Sequence, residues 1–279
     1  MKLLSKITPA ETILIRDCGN AQLKSLLKFT FMDLLLKKVI KIIEIDKQPH
    51  PRDDIRTYTY IESGKNFAKY THKSHELIFL SPFKKEESIQ ILFKHFVKMI
   101  YDASGGKKSY RESIRSSKEL KSYFNQSFFI YLFRLIRLTD DGKRIKQEIA
   151  SYLQEVDKLI NYLLENDKQK ALELLITIGG NIFLLKNLNF DLLKKLDKEL
   201  IAQQKELYGD ADDHDDSWYL YADSYDENYL FDNDFEDSDS FDSFFYDTMN
   251  SFDSEFDASS CSSYDDGCSS CGGCGGCGN

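Results

Sequence analysis

Residues 7–45 read ITPAETILIRDCGNAQLKSLLKFTFMDLLLKKVIKIIEI, and this stretch decides the fold class. Thr8-Pro9-Ala10-Glu11 is a capping box with proline in the first helical position, so a helix starts there and runs to about Cys18, where Gly19 ends it. Asn20 caps a second helix that places Leu23, Leu26, Leu27, Phe31, Leu34 and Leu35 on one side at helical spacing. "VIKIIEI" at 39–45 is rich in β-branched residues and reads as a strand. "RTYTYIE" at 56–62 reads as its partner, across a loop holding Pro49 and Pro51. Two helices followed by a two-stranded ribbon is the element order of a small winged-helix module.

The pattern recurs further along. "LKSLLKFTFMDLLLKKVIKI" from Leu23 aligns with "LKSYFNQSFFIYLFRLIRL" from Leu120, both opening Leu-Lys-Ser and leaving through a basic, β-branched stretch. "SYRES" before the second copy marks a helix start at Ser109. "IESGKNF" and "LTDDGKRI" each place a Gly-Lys turn after a strand. The expected organisation is mainly α. A winged-helix-like module covers 1–70 and a helical connector 71–108, where "EESIQILFKHFVKMIYDA" is amphipathic. A second such module with a helical extension covers 109–207. A disordered acidic and aromatic tail over 208–260 and a Gly/Cys-rich terminus over 261–279 follow.

Charge divides the chain in the same place. All 37 Lys and Arg lie at or before Lys205, against 26 of the 46 Asp and Glu up to Leu207, so the first part carries +11 and the rest −20. The tail mixes Asp and Ser with Phe and Tyr and has almost no aliphatic residues, a composition that cannot repay chain entropy by burial. Tethered to a basic body, it is expected to fold back loosely over Lys37, Lys38, Lys41, Arg134, Arg137, Lys143 and Arg144. No apolar stretch has the length of a bilayer span, and the first residues lack the apolar core of a signal peptide. Five of the six cysteines crowd the last nineteen residues, which is not the spread of a secreted disulfide scaffold. A cytoplasmic protein is expected.

The residues 134–165, "RLIRLTDDGKRIKQEIASYLQEVDKLINYLLE", resemble the wing, Gly-Lys turn and long following helix of MarR- and PadR-type winged-helix regulators. Residues 7–42 are similar to the opening of bacterial proteins that join such helical modules to Gly/Cys-rich C-termini. The resemblance implies a winged-helix fold. Neither "FTFMDLLLKK" nor "FNQSFFIYLF" carries the polar, Arg-rich face of a base-reading helix, so a packing or protein-contact role is favoured over nucleic acid.

Chemistry concentrates at the end of the chain. Cys268, Cys271, Cys274 and Cys277 stand three residues apart among Gly and Ser, a spacing that lets successive thiolates turn onto one soft ion, zinc or copper(I). The same string resembles core regions of precursor peptides whose Cys and Ser are cyclised to azoles. A reactive, redox-sensitive thiol patch is the third alternative. His72 and His75 lie one turn apart without a third ligand and read as a polar helix face. "SGGKKS" at 104–109 fails the phosphate-loop pattern, and Cys18 reads as packed at a helix end. No nucleophile-base pair is discernible. The favoured function is a non-enzymatic docking protein with a protein partner. The alternatives are the modified precursor and a DNA-binding regulator autoinhibited by its tail.

Overall fold

Thr8 caps the first helix as its neighbours require: its Oγ1 accepts from the Glu11 amide at 3.3 Å, and Glu11 Oε2 accepts from the Thr8 amide at 2.7 Å. The structure, a computed structural model, describes residues 2–86, 88–125, 136–189 and 241–262. Helix α1 covers Pro9–Asp17 and α2 covers Leu23–Leu36. The turn between them differs from the expected one. α1 stops at Asp17, and the left-handed residue is Cys18, at φ 50°, rather than Gly19. Cys18 Sγ donates to the Ile136 carbonyl at 3.2 Å, a contact that supports this unusual backbone. Asn20 belongs to a 3₁₀ turn instead of capping α2, which starts after Gln22.

Leu23, Leu26, Leu27, Phe31, Met32, Leu34, Leu35 and Leu36 of α2 are all buried, so the helix is covered nearly all round, as an apolar helix at the centre of a core must be. The ribbon forms as expected, with β1 (Ile40–Lys47) and β2 (Arg56–Ser63) antiparallel and Ile40 opposite Ser63. Its base is tight. A Cβ at Gly64 would overlap the Lys38 carbonyl oxygen, and Lys38 itself has φ 52°. The connector over 71–108 is helical only in part. After α3 (Leu77–Leu80), Ile91–Leu92 form β3, which pairs with β2 at Ile61 and Tyr60 and makes the sheet order β1-β2-β3. Helix α4 (Phe93–Ala103) follows at once.

The second half departs from the first. Helix α5 covers Gly106–Arg115, starting at the positive-φ pair Gly105 and Gly106, so Ser109 lies inside a helix and does not start one. Leu120–Tyr123 are turns where Leu23–Leu26 are helix, and Phe124 pairs with Leu138 in an antiparallel bridge. "SYFNQS" has weaker helix formers than "SLLKFT", which is reason enough for the shared Leu-Lys-Ser to lead elsewhere. Residues 126–135 lie outside the described residues. Gly142-Lys143 is the first turn of α6 (Asp140–Asn166), capped by Thr139, whose Oγ1 accepts from the Gly142 amide at 3.1 Å. α7 (Lys168–Ile178) follows, then a 3₁₀ turn over Gly179–Leu184 that returns to the start of the chain. There Asn181 Nδ2 donates to the carbonyls of Leu4 and Ile7 at 3.0 and 3.1 Å.

Part of the tail expected to be disordered is a helix. Residues 208–240 lie outside the described residues, but α8 (Phe241–Ser262) packs against α2 and α4. The buried apolar side chains form one cluster from Leu4 through Leu188 to Phe252 and Phe256. The described residues are therefore mostly helical around one small antiparallel sheet. No described helix is long and apolar enough to cross a membrane.

Candidate functional site

Helices α2 and α4 build a groove, and α8 lies in it. Phe31 of α2 is the hub, with ring centroids 5.9 Å from Phe93 and 6.0 Å from Phe96 of α4. Phe252 of α8 closes the cluster by stacking on Phe31 at 5.4 Å with an interplanar angle of 30°. One turn later, Phe256 meets Tyr101 of α4 edge-on at 5.2 Å. Both α8 rings are buried. Beside the apolar floor runs a charged rim. Lys28 Nζ reaches Asp253 at 2.7 Å, and Lys24 Nζ reaches Asp257 at 2.9 Å and Asp253 at 3.8 Å.

Two i,i+4 ladders therefore meet: Lys24 and Lys28 on α2, Asp253 and Asp257 on α8. Phe252 and Phe256 share one face of α8, and the aspartates, each next in sequence, sit a third of a turn around it. Among the described residues, the ion pairs between tail and body are made by Lys24 and Lys28, which were not among the basic residues expected to meet it. Lys37 pairs with Asp33, Lys41 with Glu62, Lys143 with Asp140 and Arg144 with Asp141, all inside the body. Arg134 lies outside the described residues.

Behind the groove, α1, α2 and the 3₁₀ turn Ser74–Glu76 bury a polar network. Glu11 is fully buried, and its Oε2 also accepts from Lys73 Nζ at 2.6 Å. The Lys73 amide donates to Glu76 Oε2 at 2.6 Å, and Tyr70 donates to Glu76 Oε1 at 3.0 Å. Lys37 links Tyr70, at 3.4 Å, to Asp33, at 2.6 Å. Burial works against the Lys37 charge, but Asp33 with Tyr70 and Glu76 outweighs it and holds the ammonium above its ordinary range. Burial pushes the Glu76 carboxyl up, Asp33 adds to this, and Lys37 opposes it. A Cβ at Gly180 would overlap Asp33 Oδ1, so the 3₁₀ turn can cover this carboxylate only with glycine.

His72 and His75 do not form a polar helix face. His75 is buried, with Nε2 3.4 Å from Thr8 Oγ1 and its ring edge-on to Tyr110, while His72 Nε2 lies 2.6 Å from Lys84 Nζ. Burial, with Lys73 and Lys37 nearby, lowers His75 to about 3, so its imidazole is neutral at physiological pH. Among the described residues no group of three or more His, Cys, Asp or Glu is placed to hold a metal ion. Cys268, Cys271, Cys274 and Cys277 lie outside the described residues, and Cys261, in the last turn of α8, is exposed and free.

The groove was missed by sequence reasoning, although its signals are present: Phe252 and Phe256 at helical spacing, each followed by an acid, and Lys24 and Lys28 at the same spacing. No family model, curated protein or solved structure matches the chain. The winged-helix resemblance therefore carries no residue role over to it.

Proposed function

We propose that this is a non-enzymatic docking protein whose α2/α4 groove is the docking surface and whose own α8 is the resident occupant. The tail beyond α8 carries Cys268, Cys271, Cys274 and Cys277 as a thiol cluster that captures a soft metal, zinc or copper(I). The observation that supports this reading is the seating of α8, which combines aromatic anchors in an apolar floor with matched charges at the rim, the anatomy of a helix-in-groove interface. The order α1, α2, β1, β2 supports a winged-helix-like reading of residues 1–70 as the scaffold behind it. Partners for such a groove are proteins bearing an amphipathic helix with aromatic and acidic residues in register.

The test is displacement. A synthetic peptide of residues 241–262, fluorescently labelled, should bind the full chain carrying Phe252→Ala and Phe256→Ala and bind the unaltered chain far less. Equal, negligible binding to both removes the docking reading. The thiol cluster is tested separately. The reduced full chain should take up about one zinc or copper(I), and replacing Cys268, Cys271, Cys274 and Cys277 by Ser should abolish uptake. Intact mass from the native host distinguishes the precursor alternative, through loss of water and hydrogen within 261–279.

A further inference from the structure

The ring stacking and ion pairs that seat α8 in the groove fall within six residues, Phe252–Asp257. Phe252 stacks on Phe31 and Phe256 meets Tyr101, while Asp253 engages Lys28 and Lys24 and Asp257 engages Lys24. The recognised pattern is Phe-Asp-x-x-Phe-acid, with the rings at i and i+4 and the carboxylates at i+1 and i+5, written here as "FDSEFD". Helical geometry carries both pairs along the same side, one turn apart, where floor and rim await them. Ser254 lies exposed between them, so the pattern leaves the first x free.

The chain holds the pattern twice. Phe231–Glu236 reads "FDNDFE", with Phe231 and Phe235 at the ring positions and Asp232 and Glu236 at the rim positions. We propose that Phe231–Glu236 is a second ligand for the α2/α4 groove, exchanging with α8 in the same chain. The segment lies outside the described residues, between Asn189 and α8, on a stretch of chain long enough to reach the groove from either end. One groove cannot hold both at once. We infer that α8 is the preferred occupant because its buried surface continues beyond the hexapeptide, to Thr248 and Ser259.

The exchange gives the tail two lengths. With α8 docked, Cys268 stands eleven residues beyond Asp257, the last rim carboxylate in the groove. With Phe231–Glu236 docked, the same cysteine stands twenty-one residues further along a free chain. The groove thus sets how far the thiol segment reaches from the body, and an outside helix of the same pattern competes with both occupants.

This proposal rests on the docking reading, and the experiment separates the two. Labelled peptide 241–262 is titrated into three full chains: unaltered, Phe252→Ala/Phe256→Ala, and the same with Phe231→Ala/Phe235→Ala added. A second ligand in cis at millimolar effective concentration should make the four-site variant bind the tracer at least about tenfold tighter than the two-site variant. Equal affinity for those two variants overturns the proposal and leaves the docking reading standing. Absence of binding to all three, with helical circular dichroism intact, removes both. The unaltered protein supplies an independent check. An excess of unlabelled peptide 228–239 should strip hydrogen-exchange protection from Phe252–Cys261, and a peptide with Phe231→Ala/Phe235→Ala should not. Unchanged protection in both cases overturns the proposal.

Discussion

Phe252, near the end of the chain, stacks on Phe31 in its second helix at 5.4 Å. That pair brings the acidic tail into the core of a basic body, and both rings are buried. Removing one ring should release the helix rather than unfold the protein. Phe252→Ala forfeits about 3–5 kcal/mol, more than an isolated docked helix has to spare. Hydrogen exchange should show α8 unprotected while the amides of α2 keep their protection. Loss of protection across both helices would mean that α8 is an integral part of the core.

The rim should behave as a charge lock. Lys28→Asp places like charges against Asp253 and should detach α8, and adding Asp253→Lys should restore it. Each single ion pair is partly exposed and worth only about 0.5–1 kcal/mol, so the reversal, not the deletion, carries the signal. Failure of the double variant to recover protection over α8 would deny the pairing its role.

Glu11 and Lys73 make a different kind of pair, because the carboxylate is fully buried and the ammonium is its main compensation. Lys73→Met should destabilise the fold by about 3–5 kcal/mol by leaving that charge unpaired. Adding Glu11→Gln, which removes the charge and keeps an acceptor for the Thr8 amide, should recover a large part of the loss. Denaturant titrations of both variants check it; a double variant less stable than the single contradicts it.

His75 should make the protein acid-sensitive. Its folded value of about 3 lies below the ordinary 6.5, so the unfolded chain takes up a proton that the folded chain refuses. The stabilisation is complete above 6.5 and declines, by an amount on the order of a few kcal/mol, as pH falls from 6.5 towards 3. Glu76, raised above 4.5, has the opposite sign and offsets part of the decline above 4.5, where the folded chain holds a proton that the unfolded chain has lost. Lys37, held above its ordinary range, stays charged throughout this window. A His75→Gln variant should show a flatter dependence of stability on pH between 6.5 and 4.5. An identical slope would assign the effect to other groups.

Local rules carried much of the fold. The capping box at Thr8–Glu11, the apolar spacing from Leu23 and the β-branched run at Val39 act within a few residues, and each forms the element its sequence announces. β3 was illegible because two residues show no period; Ile91 and Leu92 become a strand only where Ile61 and Tyr60 await them. The burial of Glu11, Asp33, Glu76 and His75 was hidden for a related reason. A charged residue reads as exposed until its partner is known, and Lys73 stands 62 residues from Glu11. The tail misled through its net charge, which was weighed without Lys24 and Lys28 opposite it. Cys268, Cys271, Cys274 and Cys277, which the sequence suggests as soft-metal ligands, lie outside the described residues.

The wide separation of α2 and α8 along the chain has a consequence at the ribosome. Roughly one hundred and fifty residues are added after α4 is complete before Phe252 exists, which at about 5–20 residues per second takes on the order of seven to thirty seconds. Through that interval the aromatic floor of Phe31, Phe93 and Phe96 lacks the Phe252 ring that covers it. On the proposed docking function, a partner helix of matching chemistry would meet its best opportunity during synthesis, before α8 is made.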